Sequence, residues 1–159
     1  MKTAIATGIL GLALFANGAA AQTAAERAQI LREFGQSVDA YARHHCLTMF
    51  PEAINAAAPA PKVFTLPVAM IFRQLIAHAI AAPAGLAING VATTHRAVVL
   101  EPFPASELGD FPVALREALP RLPAPLEYRL IDNDLVIRDA NGDLIIAVLR
   151  NALGATTTR

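Results

Sequence analysis

Proline limits where helices and strands can form in this chain, because it lacks a backbone N–H donor and disfavours helix at the residue before it. All 11 prolines lie between Pro51 and Pro125. Pro51 therefore ends a first long segment and Pro83 ends a second one. Pro120, Pro123 and Pro125 prevent regular structure just before the C-terminal stretch.

The two long segments have the periodicity of amphipathic helices. Residues 23–46 begin with Thr23 followed by Glu26, a capping box that satisfies two free backbone donors of the first turn. Residues 66–82 have Thr65 as a candidate N-cap and Pro67 in the first turn, where the missing N–H costs nothing. Spacings of three and four residues place the apolar side chains on one face of each helix. The predicted faces are Ile30, Phe34, Val38, Tyr41 and His45 in the first helix, and Val68, Ile71, Phe72, Leu75, Ile76, Ala79 and Ile80 in the second.

The C-terminal stretch has the alternation of a β-meander. Strands are predicted at 127–131, 135–139 and 144–149, with turns at Asp132-Asn133-Asp134 and at Asn141-Gly142, a strong hairpin signal. The third strand is apolar on both faces, so we expect it to be central or covered by helices.

Two shorter elements are predicted between the second helix and the meander. Residues 96–101 have the composition of a strand that Pro102 ends, and residues 111–119 suit a short helix capped by Asp110. The predicted fold class is α+β, with two amphipathic helices and a short helix packed on a small antiparallel sheet that ends in a three-stranded meander.

The expected domain organisation is one α+β domain at residues 22–153. Its helical part is 22–83 and its sheet-containing part is 92–153, with an Ala/Pro-rich linker at 51–63 and a loop at 84–94. A flexible tail is expected at 154–159.

Residues 1–21 have the pattern of a cleavable signal peptide. Lys2 supplies the positive region, Thr3–Phe15 the apolar run and Ala19–Ala21 the small residues that signal peptidase needs. We expect cleavage between Ala21 and Gln22, and a periplasmic or secreted protein; an uncleaved anchor is the alternative. The apolar run is shorter than the about 20 residues that span a bilayer, and no membrane span is expected in the mature chain.

Charge argues against two classes of partner. The chain has 13 basic and 13 acidic residues, and loss of residues 1–21 removes only Lys2 from this balance. Nucleic acids and anionic lipid surfaces both require clustered positive charge, so neither is expected as a partner. The single cysteine, Cys46, has no partner in its own chain, so the fold must depend on packing.

His44, His45 and Cys46 form a cluster with metal-ligand character, since imidazole and thiolate bind Zn, Cu or Ni. Adjacent helical residues point about 100° apart, and His45 continues the apolar face of its helix. A structural role near the helix end is therefore favoured, with a transition-metal site and Cys–His catalysis as the alternatives. Four acids near the turns suit turn chemistry better than a calcium loop: Asp132, Asp134, Asp139 and Asp143.

Three stretches resemble a family of small exported bacterial proteins of unknown function: REFGQSVDAYARHH, VFTLPVAMIFRQLIAHAI and LPRLPAPLEYRLIDNDLVIRDANGDLIIAVLRNAL. The resemblance covers roughly residues 31–153, and it is most specific at Leu126–Arg129, Asp134–Asp139 and Leu144–Leu149. The sequence departs from the pattern at Leu66-Pro67 and at Ala147. The resemblance implies an exported compartment and this fold class, and it carries no activity.

The sequence contains no haem, thiol-exchange, zinc-protease, nucleophile-elbow or phosphate-loop motif. We therefore expect an exported, non-enzymatic structural or interaction module without a cofactor, whose partner is another protein or a second copy. One alternative is a periplasmic transition-metal-binding protein that uses His44, His45 and Cys46. Another is an enzyme of unrecognised type, in which distant histidines and acids meet in one pocket.

Overall fold

The computed structural model describes residues 22–47, 62–81, 96–103 and 105–154, without the side chains of residues 45–47. Helix α1 spans Ala24–Leu47, α2 spans Leu66–Ile80 and the short α3 spans Val113–Ala118, with a 3-10 turn at Ala105–Glu107. Strands β1, β2 and β3 span Leu126–Ile131, Asp134–Asp139 and Leu144–Leu149. Helices together with a three-stranded antiparallel sheet confirm the α+β class.

Several predictions concern residues outside the described ranges. They are the signal peptide with its cleavage position, the linker apart from its last two residues, the loop at 84–94 and the tail beyond Gly154. Gly154, where the tail is predicted to begin, accepts a hydrogen bond from Asn133 Nδ2 at 3.4 Å.

Helix α1 begins at the predicted capping box. Thr23 N–H donates to Glu26 Oε2 at 2.8 Å, and Glu26 N–H donates to Thr23 Oγ1 at 3.2 Å. Phe34 and Val38 are buried on the predicted face, while Ile30 and Tyr41 pack partly against the core. This face contacts α2.

Helix α2 supplies much of the core. Thr65 holds the N-cap position, as predicted, but its side chain makes no capping bond. The helix ends at Ile80, and its buried residues are Val68, Ala69, Ile71, Phe72, Ile76 and Ala79. The predicted face is confirmed, although Leu75 and Ile80 are only partly buried. Leu66 and Met70 are exposed on the opposite side.

Residues 96–101 do not form the predicted strand. Leu100 has a left-handed conformation with a φ of 67°, which interrupts the extended backbone that a strand requires. The segment instead lies along β3 through three backbone bonds. Leu100 N–H donates to Ile145 O at 2.8 Å, Ile145 N–H to Glu101 O at 3.1 Å, and Phe103 N–H to Asp143 O at 2.6 Å.

Helix α3 is shorter than the predicted 111–119, and Asp110 does not cap it. Pro112 occupies the N-cap position instead. Phe111, just before the helix, is buried and its ring stacks on Tyr128 with centroids 6.0 Å apart, so packing fixes where α3 begins. Leu119 leaves the helical region with a ψ of 152°, as expected for the residue before a proline.

The strand order β1-β2-β3 places β2 in the centre. Of the two alternatives predicted for β3, the central position is therefore wrong. Cover by the helices is confirmed for the face that carries Ile146, Ala147 and Leu149, and Ile145 on the other face belongs to the second cluster. A bulge leaves Ile146 unpaired between the pairs Ile137–Ala147 and Arg138–Ile145. The bulge shifts the alternation of side chains, so Ile146 packs with the helices while Ile145 faces the other side of the sheet.

The β2–β3 turn differs from the predicted two-residue Asn-Gly turn. Four residues, 140–143, connect the strands, and Asp143 rather than Asn141 or Gly142 has a positive φ, of 52°. Asp139 Oδ1 accepts the backbone N–H groups of Asn141 at 2.9 Å and of Gly142 at 3.3 Å. This side-chain turn fixes the loop without left-handed residues at its centre.

Two arginines hold residues 96–103 on the second face of the sheet. Arg138 Nε donates to Phe103 O at 2.9 Å, and Arg150 Nη2 donates to Ala97 O. Ala97 and Phe103 pack there on an apolar cluster with Ile131, Val136 and Ile145. The helices cover one face of the sheet and this segment contributes to covering the other.

Candidate functional site

A cleft of about 670 Å³ lies beside strand β1. One wall comes from α3 and residues 119–122, and the other comes from residues 126–129 of β1. We call this space the β1 cleft. Its lining residues are Phe111, Arg116, Glu117, Leu119, Pro120, Arg121, Leu122, Leu126, Glu127, Tyr128 and Arg129.

Tyr128 connects the two walls of the β1 cleft. Its hydroxyl donates a hydrogen bond to Pro120 O at 3.0 Å, and its ring packs against Phe111 and Phe72. Burial raises the pKa of the Tyr128 phenol well above its usual range, because the buried site disfavours the phenolate. Tyr128 is therefore a neutral donor that holds the segment before β1 in place.

The backbone of β1 has a free side that can be assigned from the register. Ala140 N–H donates to Pro125 O at 3.1 Å, so the residue pair 125/140 is a hydrogen-bonded pair. Hydrogen-bonded and non-bonded pairs alternate along an antiparallel ladder. Leu126, Tyr128 and Leu130 therefore occupy non-bonded positions opposite β2, and their N–H and C=O groups point to the outer edge.

Most of these outward groups have no hydrogen-bond partner within the described ranges. Leu126 N–H donates to Pro123 O at 2.9 Å. No described residue bonds to the outward groups of Tyr128 and Leu130 or to Leu126 O. A strand edge of this kind is a template for a further strand.

The charged side chains of β1 belong to a network that reaches the second face of the sheet. Glu127 accepts hydrogen bonds from Arg129, at 3.1 and 2.7 Å, and from Arg138 at 2.6 Å. Arg138 is 2% exposed and also pairs with Asp143. Glu127 and Arg129 keep about a quarter of their side chains exposed, 26% and 25%, so they can contact a partner at the edge of β1.

The rim of the β1 cleft carries further charges. Arg116 Nη2 donates to Phe111 O at 3.3 Å, while Glu117 and Arg121 are exposed. The rim therefore contains both signs of charge, which suits a polar protein surface better than a strongly anionic ligand.

The predicted metal ligands lie at the C-terminal end of α1. His44 is exposed, and His45 and Cys46 belong to the same helix, but their side chains lie outside the description. In the part of the chain that the structure describes, no group of three or more His, Cys, Asp or Glu residues could hold a metal ion. His78 is exposed on α2, as expected from its polar face, and His95 is not among the described residues.

The four acids near the turns are partly accounted for by bonds within the fold. Asp134 accepts hydrogen bonds from Arg150 Nη1 at 2.5 Å and from Asn151 N–H at 2.8 Å. Asp139 accepts the amides of its own turn, and Asp143 pairs with Arg138. Asp132 has a left-handed φ of 51° in the β1–β2 turn, a conformation that Asp tolerates.

Sequence reasoning missed the β1 cleft and the free edge of β1. In the sequence, the prolines at 120, 123 and 125 indicate only breaks in regular structure. They also carry the chain away from α3 into β1, so that the segment forms one wall of the cleft. The alternation of Glu127 and Arg129 with Tyr128 predicts a strand. It does not predict that this strand has a free edge.

Comparisons with known protein families, with curated proteins and with solved structures give no match for this chain. The resemblance over residues 31–153 therefore stays a prediction. Within the described ranges, every helix is too short or too polar to span a bilayer.

Proposed function

We propose that this chain is an exported, non-enzymatic module that acts by binding a protein, and that it binds at the β1 cleft. The observation that carries the proposal is the outer edge of β1. Tyr128 and Leu130 direct backbone donors and acceptors there, and no described residue bonds them. An extended segment of a partner that adds to this edge gains main-chain hydrogen bonds, and the cleft wall supplies side-chain contacts.

A binding role also agrees with what the polar side chains near the cleft do. Tyr128 bonds Pro120, Arg138 bonds Phe103, and Glu127 bonds two arginines. These groups hold the fold, whereas a catalytic acid or base must reach the proton it transfers. The periplasm or the extracellular medium is the proposed compartment, on the strength of residues 1–21.

Site-specific photo-crosslinking in the producing cells tests the proposal. A photoreactive residue at Arg121, on the exposed rim of the β1 cleft, should give one defined protein adduct that mass spectrometry identifies. The matched control carries the same residue at Gln36, which is exposed on α1. No adduct at Arg121, or the same adducts at both positions, would count against binding at the cleft.

Transition-metal binding through His44, His45 and Cys46 stays the alternative proposal. It rests on the ligand chemistry of the three side chains and on their adjacency in the sequence.

A further inference from the structure

We propose that the partner at the β1 cleft is a second copy of this chain, paired antiparallel along β1 about a two-fold axis at Tyr128. This inference rests on the proposed function and names the occupant of the same surface. The pairing joins two three-stranded sheets into one sheet of six strands. The argument follows from the free backbone groups, the charge pattern of β1 and the space beside it.

The free backbone groups match a two-fold pair centred on Tyr128. In that register Tyr128 lies opposite Tyr128 of the second copy, and Leu126 lies opposite Leu130. These are the residues whose N–H and C=O groups point outward. Leu126 N–H already bonds Pro123 O, so the pair can form about four main-chain hydrogen bonds without disturbing either fold.

The charges of β1 select this register among the two-fold alternatives. With Tyr128 at the axis, Glu127 of each copy lies opposite Arg129 of the other, at non-bonded positions where side chains approach most closely. A pair centred on Glu127 sets glutamate against glutamate, and a pair centred on Arg129 sets arginine against arginine. Charged side chains normally protect an edge strand from pairing. In β1 they instead favour one self-complementary register.

The β1 cleft provides room for the second strand. Neighbouring strands lie about 4.7–4.9 Å apart, and the cleft runs along residues 126–129 on the outer side of β1. Glu127 and Arg129 keep enough exposure, 26% and 25%, to reach side chains of the second copy while Glu127 holds Arg138.

Sedimentation analysis of the exported protein over a range of concentrations tests the pairing. Wild type should associate to a dimer that weakens as salt is added, because screening reduces the Glu127–Arg129 attraction. Arg129→Glu turns two attractive pairs into two repulsive pairs and should raise the dimer Kd by about tenfold or more. Arg129→Gln, which removes the attraction without adding repulsion, should raise it less.

Arg43→Glu is the matched control, because Arg43 is exposed on α1 and the substitution changes the net charge equally. Its dimer Kd should equal that of wild type, and circular dichroism confirms that each variant is folded. A wild type that stays monomeric throughout, or folded Arg129 variants that dimerise as tightly as wild type, would overturn the self-pairing. If a monomeric wild type still gives an adduct with a different protein at Arg121, self-pairing is wrong and binding at the cleft stands; without any adduct, both proposals fail.

Discussion

Replacement of Arg138 by methionine tests how strongly one buried arginine stabilises the fold. Methionine retains an unbranched apolar stem, so the change removes mainly the charge and its donors. The Arg138 side chain is 3% exposed and donates to Phe103 O, which belongs to the segment that lies along β3. Loss of a hydrogen bond from a charged donor costs about 1.5–3 kcal/mol.

The acidic partners of Arg138 limit how far the substitution lowers the free energy of unfolding. Glu127 and Asp143 keep 26% and 53% of their side chains exposed, so water can solvate both carboxylates once the arginine is gone. The cost of leaving a buried charge unpaired, about 3–5 kcal/mol, is therefore not reached. We expect Arg138→Met to lower the free energy of unfolding by about 2–3 kcal/mol.

Urea denaturation at a concentration where the protein is monomeric measures this loss. Amide exchange should also accelerate at Leu100 and Phe103, whose N–H groups donate to Ile145 O in β3 and to Asp143 O just before it. Arg129→Met is the matched control, because Arg129 lies on the same face of the sheet and also pairs with Glu127, but its side chain is 25% exposed. The control should lose less than about 1 kcal/mol. Equal losses in the two variants would refute the reasoning that burial of Arg138 and its bond to Phe103 set the magnitude.

Three further predictions concern the tyrosines, α1 and the metal alternative. Burial raises the pKa of both tyrosines, Tyr41 and Tyr128. Their phenols ionise in the unfolded chain above about pH 10 but stay neutral in the fold, so stability should fall as the pH rises past that value. Tyr128→Phe should cost about 1 kcal/mol at neutral pH through loss of the bond to Pro120 O and should show a shallower alkaline decline; an unchanged slope would contradict this. Gly35→Ala should raise the free energy of unfolding by up to about 1 kcal/mol, since nothing lies within 4 Å of the added Cβ; a lower urea midpoint would show that the helix is strained there. Titration of Zn, Cu and Ni should give weaker binding in a His45→Ala, Cys46→Ala double variant if the metal alternative is correct, and equal affinities would end it.

Local signals in the sequence predicted the long helices and the strands. The capping box at Thr23 and Glu26 forms as expected because both partners lie within one turn. The alternation in β1 matches its burial, because Leu126, Tyr128 and Leu130 are buried while Glu127 and Arg129 are half-buried. Strand β2 is buried on both faces from Leu135 to Asp139.

Two of the failures involve contacts between distant parts of the chain, and the third involves a competing side-chain bond within the turn itself. Asp110 has a good capping side chain, but burial of Phe111 against Tyr128 moves the start of α3. Residues 96–101 have a strand-like composition, yet bonds to β3 and to Arg138 hold this segment with Leu100 in a left-handed conformation. The predicted Asn141-Gly142 turn does not form, because the Asp139 side chain accepts hydrogen bonds from the N–H groups of both residues.

The candidate site depends on strand order. The periodicity within a strand predicts that strand but not its position in the sheet. The apolar sequence of β3 predicts a strand that is either central or covered by helices, and it does not decide between them. The helices and residues 96–103 lie on the two faces of β3, whereas the strand order makes β2 central and leaves β1 with a free edge. The β1 cleft lies between this edge and a second wall, which consists of α3 and residues 119–122. Tyr128 connects the two walls through its hydrogen bond to Pro120 O.

Amide hydrogen exchange at single-residue resolution, measured on dilute and concentrated protein, tests most directly whether the outer edge of β1 pairs with a second copy of the chain. We predict that the Tyr128 and Leu130 amides, which point outward, gain protection as the concentration rises. The Arg129 amide, which points toward β2, should be protected equally at both concentrations. Exchange at Tyr128 and Leu130 that does not change with concentration, or protection that rises on α1 or α2 instead, would contradict self-pairing along β1.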